Sequence, residues 1–221
     1  MGIERWATFD CYGTLVDWDG GVRSTLARLW PEADADVLLA RYHEIEPVVQ
    51  AGRGIAYRTV MAETLSGIAD AEGLTVPAGE EDALGESLPT WPVFPEVPAA
   101  MTELRARGWR LAILSNTDPD LLDASIGAIG VPIDERVVAS DIGSYKPAFG
   151  HWETFFERTG ADRAGHIHVA ASLSHDVQPC AALGLPCVWI NRLGETSDLP
   201  RVGELTDLRE LPDALDRLVP A

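Results

Sequence analysis

The sequence predicts an α/β fold, in which a doubly wound parallel sheet forms the core and a helical segment is inserted after the first strand. In the second half of the 221-residue chain, short apolar runs alternate with helix-period segments. This alternation is typical of parallel strands covered by helices on both faces. Residues 16–91 show helical periodicity and no convincing strand. The proline-rich residues 92–98 lie between the two regions and suit a stiff returning linker.

Each element follows from its apolar spacing and from the residues that end it. The predicted strands lie at residues 5–9, 109–114, 136–140, 166–170 and 186–190. The predicted helices lie at residues 21–30, 35–49, 56–68, 81–88, 99–107, 121–129, 151–159, 177–183 and 211–218. Pro31, Gly108 and Gly184 mark helix ends, because proline interrupts helical hydrogen bonding and glycine adopts the left-handed conformation that closes a helix.

The composition is that of an ordinary globular protein, with 46% apolar and 24% charged residues. A formal net charge of -18 and a pI of about 4.5 argue against nucleic acid and anionic membranes as partners. An anionic substrate therefore needs cationic side chains placed locally in its site.

The cysteines and the apolar runs indicate a reducing compartment. Cys11, Cys180 and Cys187 are odd in number and lack the spacing of a zinc site, so we expect reduced, buried thiols. The sequence shows no signal-peptide pattern and no apolar run long enough to cross a bilayer. We therefore expect a cytoplasmic protein without a membrane partner. The oligomeric state stays open, a homodimer included.

Polar side chains follow four of the predicted strands, at the edge where open α/β sheets bind ligands. Asp10 follows the first strand, and Ser115 and Asn116 follow the second. Lys146 comes shortly after the third strand, and Asp176 shortly after the fourth. Because the carboxyl ends of parallel strands share one edge of the sheet, we expect these residues to converge on one crevice.

These residue types suit nucleophilic catalysis. Asp10 can attack an electrophilic centre and form a covalent ester or acyl phosphate, and Lys146 can keep Asp10 ionised. Ser115 and Asn116 can donate hydrogen bonds to anionic oxygens or to a leaving group. Asp176 can hold Lys146, activate a water molecule or bind a metal. Each residue alone is also common in turns or helix caps. The hypothesis of a catalytic site therefore depends on the presence of such residues at four successive strand ends.

Four stretches resemble the motifs of the haloacid dehalogenase superfamily: DCYGTLVD at residues 10–17, LSN at 114–116, YKP at 145–147 and SHD at 174–176. The first stretch is highly specific for that superfamily, and the resemblance covers nearly the whole chain. It implies a Rossmann-like core at residues 1–15 and 93–221, with a helical cap at residues 16–92. It also implies an aspartate nucleophile and a site closed by the cap.

Residue 12 distinguishes two branches of that superfamily. Most members are magnesium-dependent phosphatases, which carry a second aspartate two residues after the nucleophile and paired acids in the last motif. Tyr12 stands at the first of these positions, and a tyrosine does not readily exchange a proton near neutral pH. His175 precedes Asp176 where a paired acid is usual. Both features resemble the 2-haloacid dehalogenase (type II) branch, which acts on (S)-2-haloacids and needs no cofactor.

This resemblance implies a role for each site residue. Asp10 displaces halide from C2 of a small 2-haloalkanoic acid, and water hydrolyses the resulting ester to a 2-hydroxy acid. Thr14 and Lys146 orient and charge-balance Asp10, while Asp176 supports Lys146 and the hydrolytic water. The expected substrate-binding residues are Tyr12, Ser115 for the substrate carboxylate, Asn116 for the halide, and Arg41 as the cap arginine that holds the halide. Arg53 and Arg58 are the alternatives to Arg41.

Three positions depart from that branch. Ala171 and Leu173 stand where a serine and an asparagine precede the final aspartate, and Trp152 stands where a tyrosine follows the lysine. Two other functions therefore stay open. One is a small-molecule phosphatase that requires Mg²⁺, and the other is a catalytically silent binding protein that kept the fold.

Overall fold

The computed structural model describes residues 4–221, in which helices cover both faces of one six-stranded sheet. The strands are Arg5–Phe9 (β1), Trp109–Ser115 (β2), Glu135–Val138 (β3), His166–Ala170 (β4), Cys187–Ile190 (β5) and Gly203–Leu205 (β6). All pairs are parallel, in the order β3-β2-β1-β4-β5-β6. This confirms the doubly wound α/β fold, because the chain builds outward from β1 on one side and, from β4, on the other.

The helices in residues 4–221 are Trp18–Leu29 (α1), Ala35–Gln50 (α2), Tyr57–Glu72 (α3), Ala83–Ser87 (α4), Val97–Ala106 (α5), Pro119–Ile129 (α6), Ala139–Ile142 (α7), Gly150–Thr159 (α8), Gln178–Leu183 (α9) and Leu211–Leu218 (α10). The predicted helices are confirmed, with small differences at their ends. In this part of the chain no helix combines the length and the apolar character that a bilayer crossing requires.

Two short elements differ from the prediction. Strand β3 ends at Val138 and the chain enters α7, so a strand that continues to residue 140 is wrong. The helical turn closes at Gly143, which has a φ of 63° in the left-handed region. Strand β6 is not predicted from the sequence. Its three residues lie at the edge of the sheet, are partly exposed and do not form an apolar run.

Strand β1 lies in the middle of the sheet, and all five of its residues are buried. Its side chains alternate between the two faces, as the two-residue period of a strand requires. Trp6 packs with Trp152 and Trp189 on one face, and Phe9 belongs to the larger cluster that reaches into the inserted helices. The carboxyl end of β1 therefore opens into the centre of the molecule.

Helices α1 to α4 lie between two connecting segments, residues 15–17 and 92–94, which are hydrogen-bonded to each other. The Asp17 amide donates to Pro92 O at 2.8 Å, and the Phe94 amide donates to Leu15 O at 3.0 Å. A side chain at Gly21 would overlap the Trp91 ring, so this glycine lets α1 approach the returning chain closely. These contacts hold the inserted helices next to the carboxyl end of β1.

Candidate active site

The crevice at the carboxyl ends of β1 and β4 collects the predicted polar side chains. These strands are neighbours, and the direction in which the chain winds across the sheet reverses between them. Open α/β sheets bind ligands at such a reversal. Asp10 follows β1, and Asp176 lies in the π-helical turn Leu173–Val177 after β4. The structure brings Asp10 and Asp176 together with Thr14 and Lys146.

Asp10 is held by both of its carboxylate oxygens. The Thr14 hydroxyl donates to Oδ2 at 2.8 Å, and the Lys146 ammonium donates to Oδ1 at 2.8 Å. Thr14 is fixed in turn, because its Oγ1 accepts from the Ala171 amide at 2.9 Å. The turn between Asp10 and Thr14 passes through Gly13, whose φ of 86° favours glycine. The Asp10 side chain stays 10% exposed and is therefore reachable from the crevice.

Lys146 is the centre of the cluster, and each of its three N–H bonds has an acceptor. Nζ donates to Asp10 Oδ1 at 2.8 Å, to Asp176 Oδ1 at 2.7 Å and to Leu114 O at 2.9 Å. Burial disfavours the ammonium, but the two carboxylates outweigh burial and raise the pKa of Lys146 above its usual range. Lys146 therefore stays charged and bridges the two carboxylates.

The two carboxylates differ in their electrostatic surroundings. Burial raises the pKa of Asp10, and the Lys146 ammonium opposes that rise. Asp176 is also buried, but Lys146 and a hydrogen bond from His168 hold the pKa of Asp176 below its ordinary value. The negative charge of Asp176 is thus firmly fixed, whereas the charge of Asp10 is less stabilised by the protein.

A buried chain of hydrogen bonds lies behind Asp176 and was not part of the sequence prediction. His168 Nε2 lies 3.0 Å from Asp176 Oδ1, and His168 Nδ1 lies 2.8 Å from Thr8 Oγ1. The same hydroxyl oxygen lies 2.8 Å from His166 Nε2. The sequence does contain a signal for this chain of hydrogen bonds. His166 and His168 lie two residues apart in an apolar strand, so both side chains point to the same face of β4.

Asn116 and Ser115 both lie at the crevice. The Asn116 carboxamide binds the backbone of Lys146, since its Nδ2 donates to Lys146 O at 2.9 Å and its Oδ1 accepts from the Lys146 amide at 2.7 Å. Nδ2 also reaches Gln50 Oε1 of α2 at 3.4 Å. These contacts occupy the groups that the sequence prediction assigned to the halide. Ser115 Oγ, by contrast, is buried without a hydrogen-bond partner among residues 4–221 and is available to a ligand.

The crevice opens into a cavity of about 750 Å³, a size typical of small-molecule sites. The sheet side of the lining includes Asp10, Tyr12, Ser115, Asn116, Lys146, Ala171, Leu173 and Asp176. The inserted helices contribute Trp18, Arg23, His43, Glu46, Pro47, Gln50 and Tyr57. The predicted nucleophile thus faces a cavity that the sheet and the inserted helices enclose together.

Glu46 of α2 is a buried carboxyl on the wall of this cavity, with 5% exposure. Its Oε1 accepts a hydrogen bond from Gln50 Nε2 at 3.1 Å. Burial raises the pKa of Glu46 to about 7, although a hydrogen bond from Tyr57 and the charge of His43 oppose the rise. Glu46 does not stand out in the sequence, because glutamates in a strongly acidic chain usually lie on the surface.

Tyr12 lines the cavity two residues after Asp10. Its hydroxyl lies 3.1 Å from Ser125 Oγ, and its ring packs edge-on against Trp91. Burial raises the pKa of Tyr12 well above its usual range. A phenol in these surroundings does not act as an acid or base near neutral pH, so residue 12 offers no proton to a leaving alcohol.

Arg41, the predicted cap arginine, is absent from the cavity lining in residues 4–221. Its guanidinium donates to Glu72 at 2.8 Å and also pairs with Glu44. The reason is the rotation of helix α2, in which residues 43, 46, 47 and 50 face the cavity and residue 41 points elsewhere. The alternatives Arg53 and Arg58 form ion pairs as well and are absent from the cavity lining in residues 4–221.

Arg23 and Arg192 are the arginines that line the cavity in the described part of the chain. Arg23 belongs to α1, is half-exposed and pairs with Asp36 at 2.7 Å. Arg192 follows β5, and its Nη2 donates to Thr14 O at 2.8 Å and to Glu96 at 2.7 Å. The Nε of Arg192 is buried without a partner among residues 4–221. These two side chains supply positive charge along the cavity wall.

The positions that depart from the dehalogenase motifs lie around Asp176. Ala171 and Leu173 line the cavity with side chains that form no hydrogen bonds. Trp152 is fully buried and packs edge-on against the His168 ring at 5.3 Å. Within residues 4–221, no three His, Cys, Asp or Glu side chains are grouped closely enough to hold a metal ion together.

Comparison with known proteins identifies similar sequences over nearly the whole chain. The model of the haloacid dehalogenase-like hydrolase family matches residues 5–184. An (S)-2-haloacid dehalogenase of Pseudomonas sp. (strain YL) is 27% identical over 232 residues, which cover 98% of this chain and 96% of the relative. The haloacetate dehalogenase H-2 of Moraxella sp. (strain B) is 29% identical over 218 residues, which cover 96% of each protein.

The fold also matches solved structures. The crystal structure of an L-2-haloacid dehalogenase superposes with a TM-score of 0.87 at 23% identity. The match covers 98% of this chain and 100% of that protein. At this level of identity the likeness establishes a shared fold, and the chemistry has to be argued from the site.

Proposed function

We propose that this chain, which belongs to the haloacid dehalogenase-like hydrolase family, hydrolyses the carbon–halogen bond of a small 2-haloalkanoic acid. The observation that carries the proposal is the setting of Asp10, a cavity-facing carboxylate held by Thr14 and Lys146 beside a tyrosine that cannot serve as acid or base. Two relatives that are named dehalogenases and match nearly the whole chain support it.

In the first step a carboxylate oxygen of Asp10 attacks C2 of the substrate, and the halide leaves with the electrons of the broken bond. Thr14 and Lys146 hold the nucleophile in a fixed orientation, which lowers the entropic cost of the attack. The buried hydroxyl of Ser115 donates to the substrate carboxylate. The product of this step is an ester between Asp10 and C2.

The leaving halide needs positive charge, and Arg41 is absent from the cavity lining in residues 4–221. Arg23 and Arg192 line the cavity, so we assign halide binding to this pair rather than to Arg41. Asn116 also lines the cavity, and its role is to position Lys146 by two hydrogen bonds to the backbone of that residue.

In the second step a water molecule adds to the carboxyl carbon of Asp10 and gives a proton to Asp176. The ester C–O bond then breaks, and the departing alkoxide takes that proton to become a 2-hydroxy acid. Asp10 releases the remaining proton to solvent and is regenerated. The positive charge between the two carboxylates comes from Lys146, so the reaction proceeds without a metal or another cofactor.

We also propose that residues 16–92 act as a cap over a core formed by residues 1–15 and 93–221. The paired crossings at residues 15–17 and 92–94 support this division, because they are the narrow connection between the two parts. Residues of both parts line the cavity, as a cap that encloses the substrate requires.

Halide release from (S)-2-chloropropionate and from haloacetates, with EDTA or with Mg²⁺, tests the proposed activity. We expect one halide per 2-hydroxy acid at equal rates in both conditions. Asp10→Asn should abolish release, whereas Asp70→Asn, at an exposed position of α3, should leave it unchanged. Hydrolysis of p-nitrophenyl phosphate that requires Mg²⁺ and Asp10, without halide release, contradicts the proposal and supports the phosphatase alternative.

A single turnover in water labelled with ¹⁸O tests the covalent step. If Asp10 forms an ester, the label enters the Asp10 carboxylate, and mass spectrometry of the peptide detects it. A label found in the hydroxy acid after the first turnover indicates direct attack by water instead. Absence of both halide release and labelled peptide supports a catalytically silent binding protein.

A further inference from the structure

We infer that His168 is a positioning residue for ester hydrolysis, which holds Asp176 so that Oδ2 alone is free to take the proton of the attacking water. This inference rests on the proposed function, because it concerns hydrolysis of the Asp10 ester. It is based on the approach of His168 Nε2 to Asp176 Oδ1 at 3.0 Å, where Lys146 already binds the same oxygen at 2.7 Å.

The direction of each hydrogen bond follows from the groups involved. Asp176 is an ionised carboxylate that only accepts, so His168 Nε2 carries a proton and donates it to Oδ1. Thr8 Oγ1 has one proton for two neighbouring nitrogens, His168 Nδ1 and His166 Nε2. The hydrogen-bond direction at each of these four side chains, His166, Thr8, His168 and Asp176, therefore depends on where its neighbour carries a proton.

The protonation of His166 decides the order. Burial lowers the pKa of His166 to about 3, so this ring is neutral and carries one proton. A proton on Nδ1 would lie buried without an acceptor in residues 4–221, which is unfavourable. The proton therefore lies on Nε2, and the donors run in one direction from His166 through Thr8 and His168 to Asp176.

This order leaves the two oxygens of Asp176 unlike each other. Oδ1 accepts from Lys146 and His168, whereas Oδ2 accepts no hydrogen bond from residues 4–221. The His168 ring is fully buried, and hydrogen bonds at both of its nitrogens fix its orientation. The side chains of Ala171 and Leu173 have no group that could hydrogen-bond Asp176, so Lys146 and His168 orient this carboxylate through Oδ1.

The two steps of the reaction depend on His168 to different degrees. During hydrolysis Oδ2 takes a proton from the water as the new C–O bond forms at Asp10, and it returns the proton to the departing alkoxide. His168 keeps its own proton and touches neither the water nor the ester. Halide displacement uses Asp10 with Thr14 and Lys146, together with Ser115 and the two cavity arginines. The hydrogen bonds of His168 go to Thr8 and Asp176 and to none of these side chains.

Rapid-quench kinetics with (S)-2-chloropropionate test the inference in the full-length protein. In His168→Leu we expect a burst of about one halide per chain, followed by turnover about tenfold to a hundredfold slower than in the wild type. The Asp10 ester should accumulate and be visible by mass spectrometry. His168→Gln, which retains an N–H donor, should recover part of the hydrolysis rate. Trp152→Phe is the control. It disturbs the packing around the His168 ring but removes none of the hydrogen bonds from His166 to Asp176, so it should show no burst.

Thr8→Val is a second variant of nearly equal volume, for use if His168→Leu does not fold. It removes the hydroxyl that orients His168 and should raise the steady-state ester fraction as well, by a smaller factor. Equal slowing of halide displacement and ester hydrolysis in the folded variants overturns the inference and leaves the proposed function standing. If the wild type releases no halide from any haloacid, the proposed function fails, and the role of His168 fails with it.

Discussion

The pH dependence of stability offers a direct test of the buried carboxyl on the cavity wall, with Glu46→Gln as the perturbation. In the folded chain burial raises the pKa of Glu46 to about 7, whereas its ordinary value is 4.5. Between these two pH values the native state holds one more proton than the unfolded state. A rise in pH therefore lowers the free energy of unfolding of the wild type, and the variant escapes this loss.

The size of the effect follows from the difference between the two pKa values. At about 1.4 kcal/mol per pKa unit, a rise from 4.5 to about 7 corresponds to roughly 3 kcal/mol. Most of this free energy is lost between pH 5 and pH 8, so the variant should gain roughly 2 to 3 kcal/mol over the wild type in this interval. The amide of the variant retains an oxygen that can accept from Gln50, so the local hydrogen bond is preserved.

Urea unfolding at pH 5, 6, 7 and 8, followed by circular dichroism, measures this difference. Comparison of the two proteins at each pH cancels the contribution of the other acidic groups. Glu44→Gln is the matched control, because Glu44 lies on the same helix with 64% exposure, and its effect should stay within about 0.5 kcal/mol at every pH. A wild type and a Glu46→Gln variant that remain parallel from pH 5 to pH 8 would refute the reasoning, because Glu46 would then ionise like an exposed glutamate.

Substitutions also test three other features, namely the Lys146 ammonium, the cavity arginine Arg23 and the contact of Gly21 with Trp91. Lys146→Met leaves two buried carboxylates unpaired, and unfolding experiments should show a loss of about 3–5 kcal/mol at pH 8 that shrinks toward pH 5 as a carboxyl becomes protonated. Arg23→Ala should raise the KM for a haloacid severalfold and Arg41→Ala should not, because Arg23 is part of the cavity lining and Arg41 is not; equal KM values in the two variants contradict this assignment. Gly21→Ala places a methyl group against the Trp91 ring, and thermal unfolding should show a loss of about 1–3 kcal/mol.

The sheet and most helices follow from the sequence because their buried faces are continuous. The observed bounds of β1 and β4, Arg5–Phe9 and His166–Ala170, are the predicted ones, since each strand is a fully buried run. The short elements behave differently. Strand β6 has three residues and α7 has four, which is less than any periodic pattern needs. Their conformation depends on tertiary contacts and on Gly143.

The candidate site is predictable where it depends on topology and not where it depends on helix rotation. Asp10, Lys146 and Asp176 follow strand ends, and a parallel sheet brings such residues to one edge. Arg41 lies in a helix, where each residue turns the side chain by about 100°. The apolar spacing of α2 identifies its buried side, yet it does not tell which polar side faces the cavity. The structure gives that position to Glu46 and leaves Arg41 outside.

The asymmetry between the two carboxylates explains, within the proposed reaction, why Asp10 attacks and Asp176 does not. Two carboxylates and one ammonium give the buried cluster a net charge of about -1. Attack by Asp10 converts its carboxylate into an uncharged ester, so the excess charge leaves the protein with the halide. During this first step Asp176 stays ionised as the counter-ion of Lys146, because His168 holds it as well. Attack by Asp176 would instead neutralise the carboxylate that holds the lowered pKa and leave Lys146 paired with the carboxylate of Asp10, whose pKa is raised.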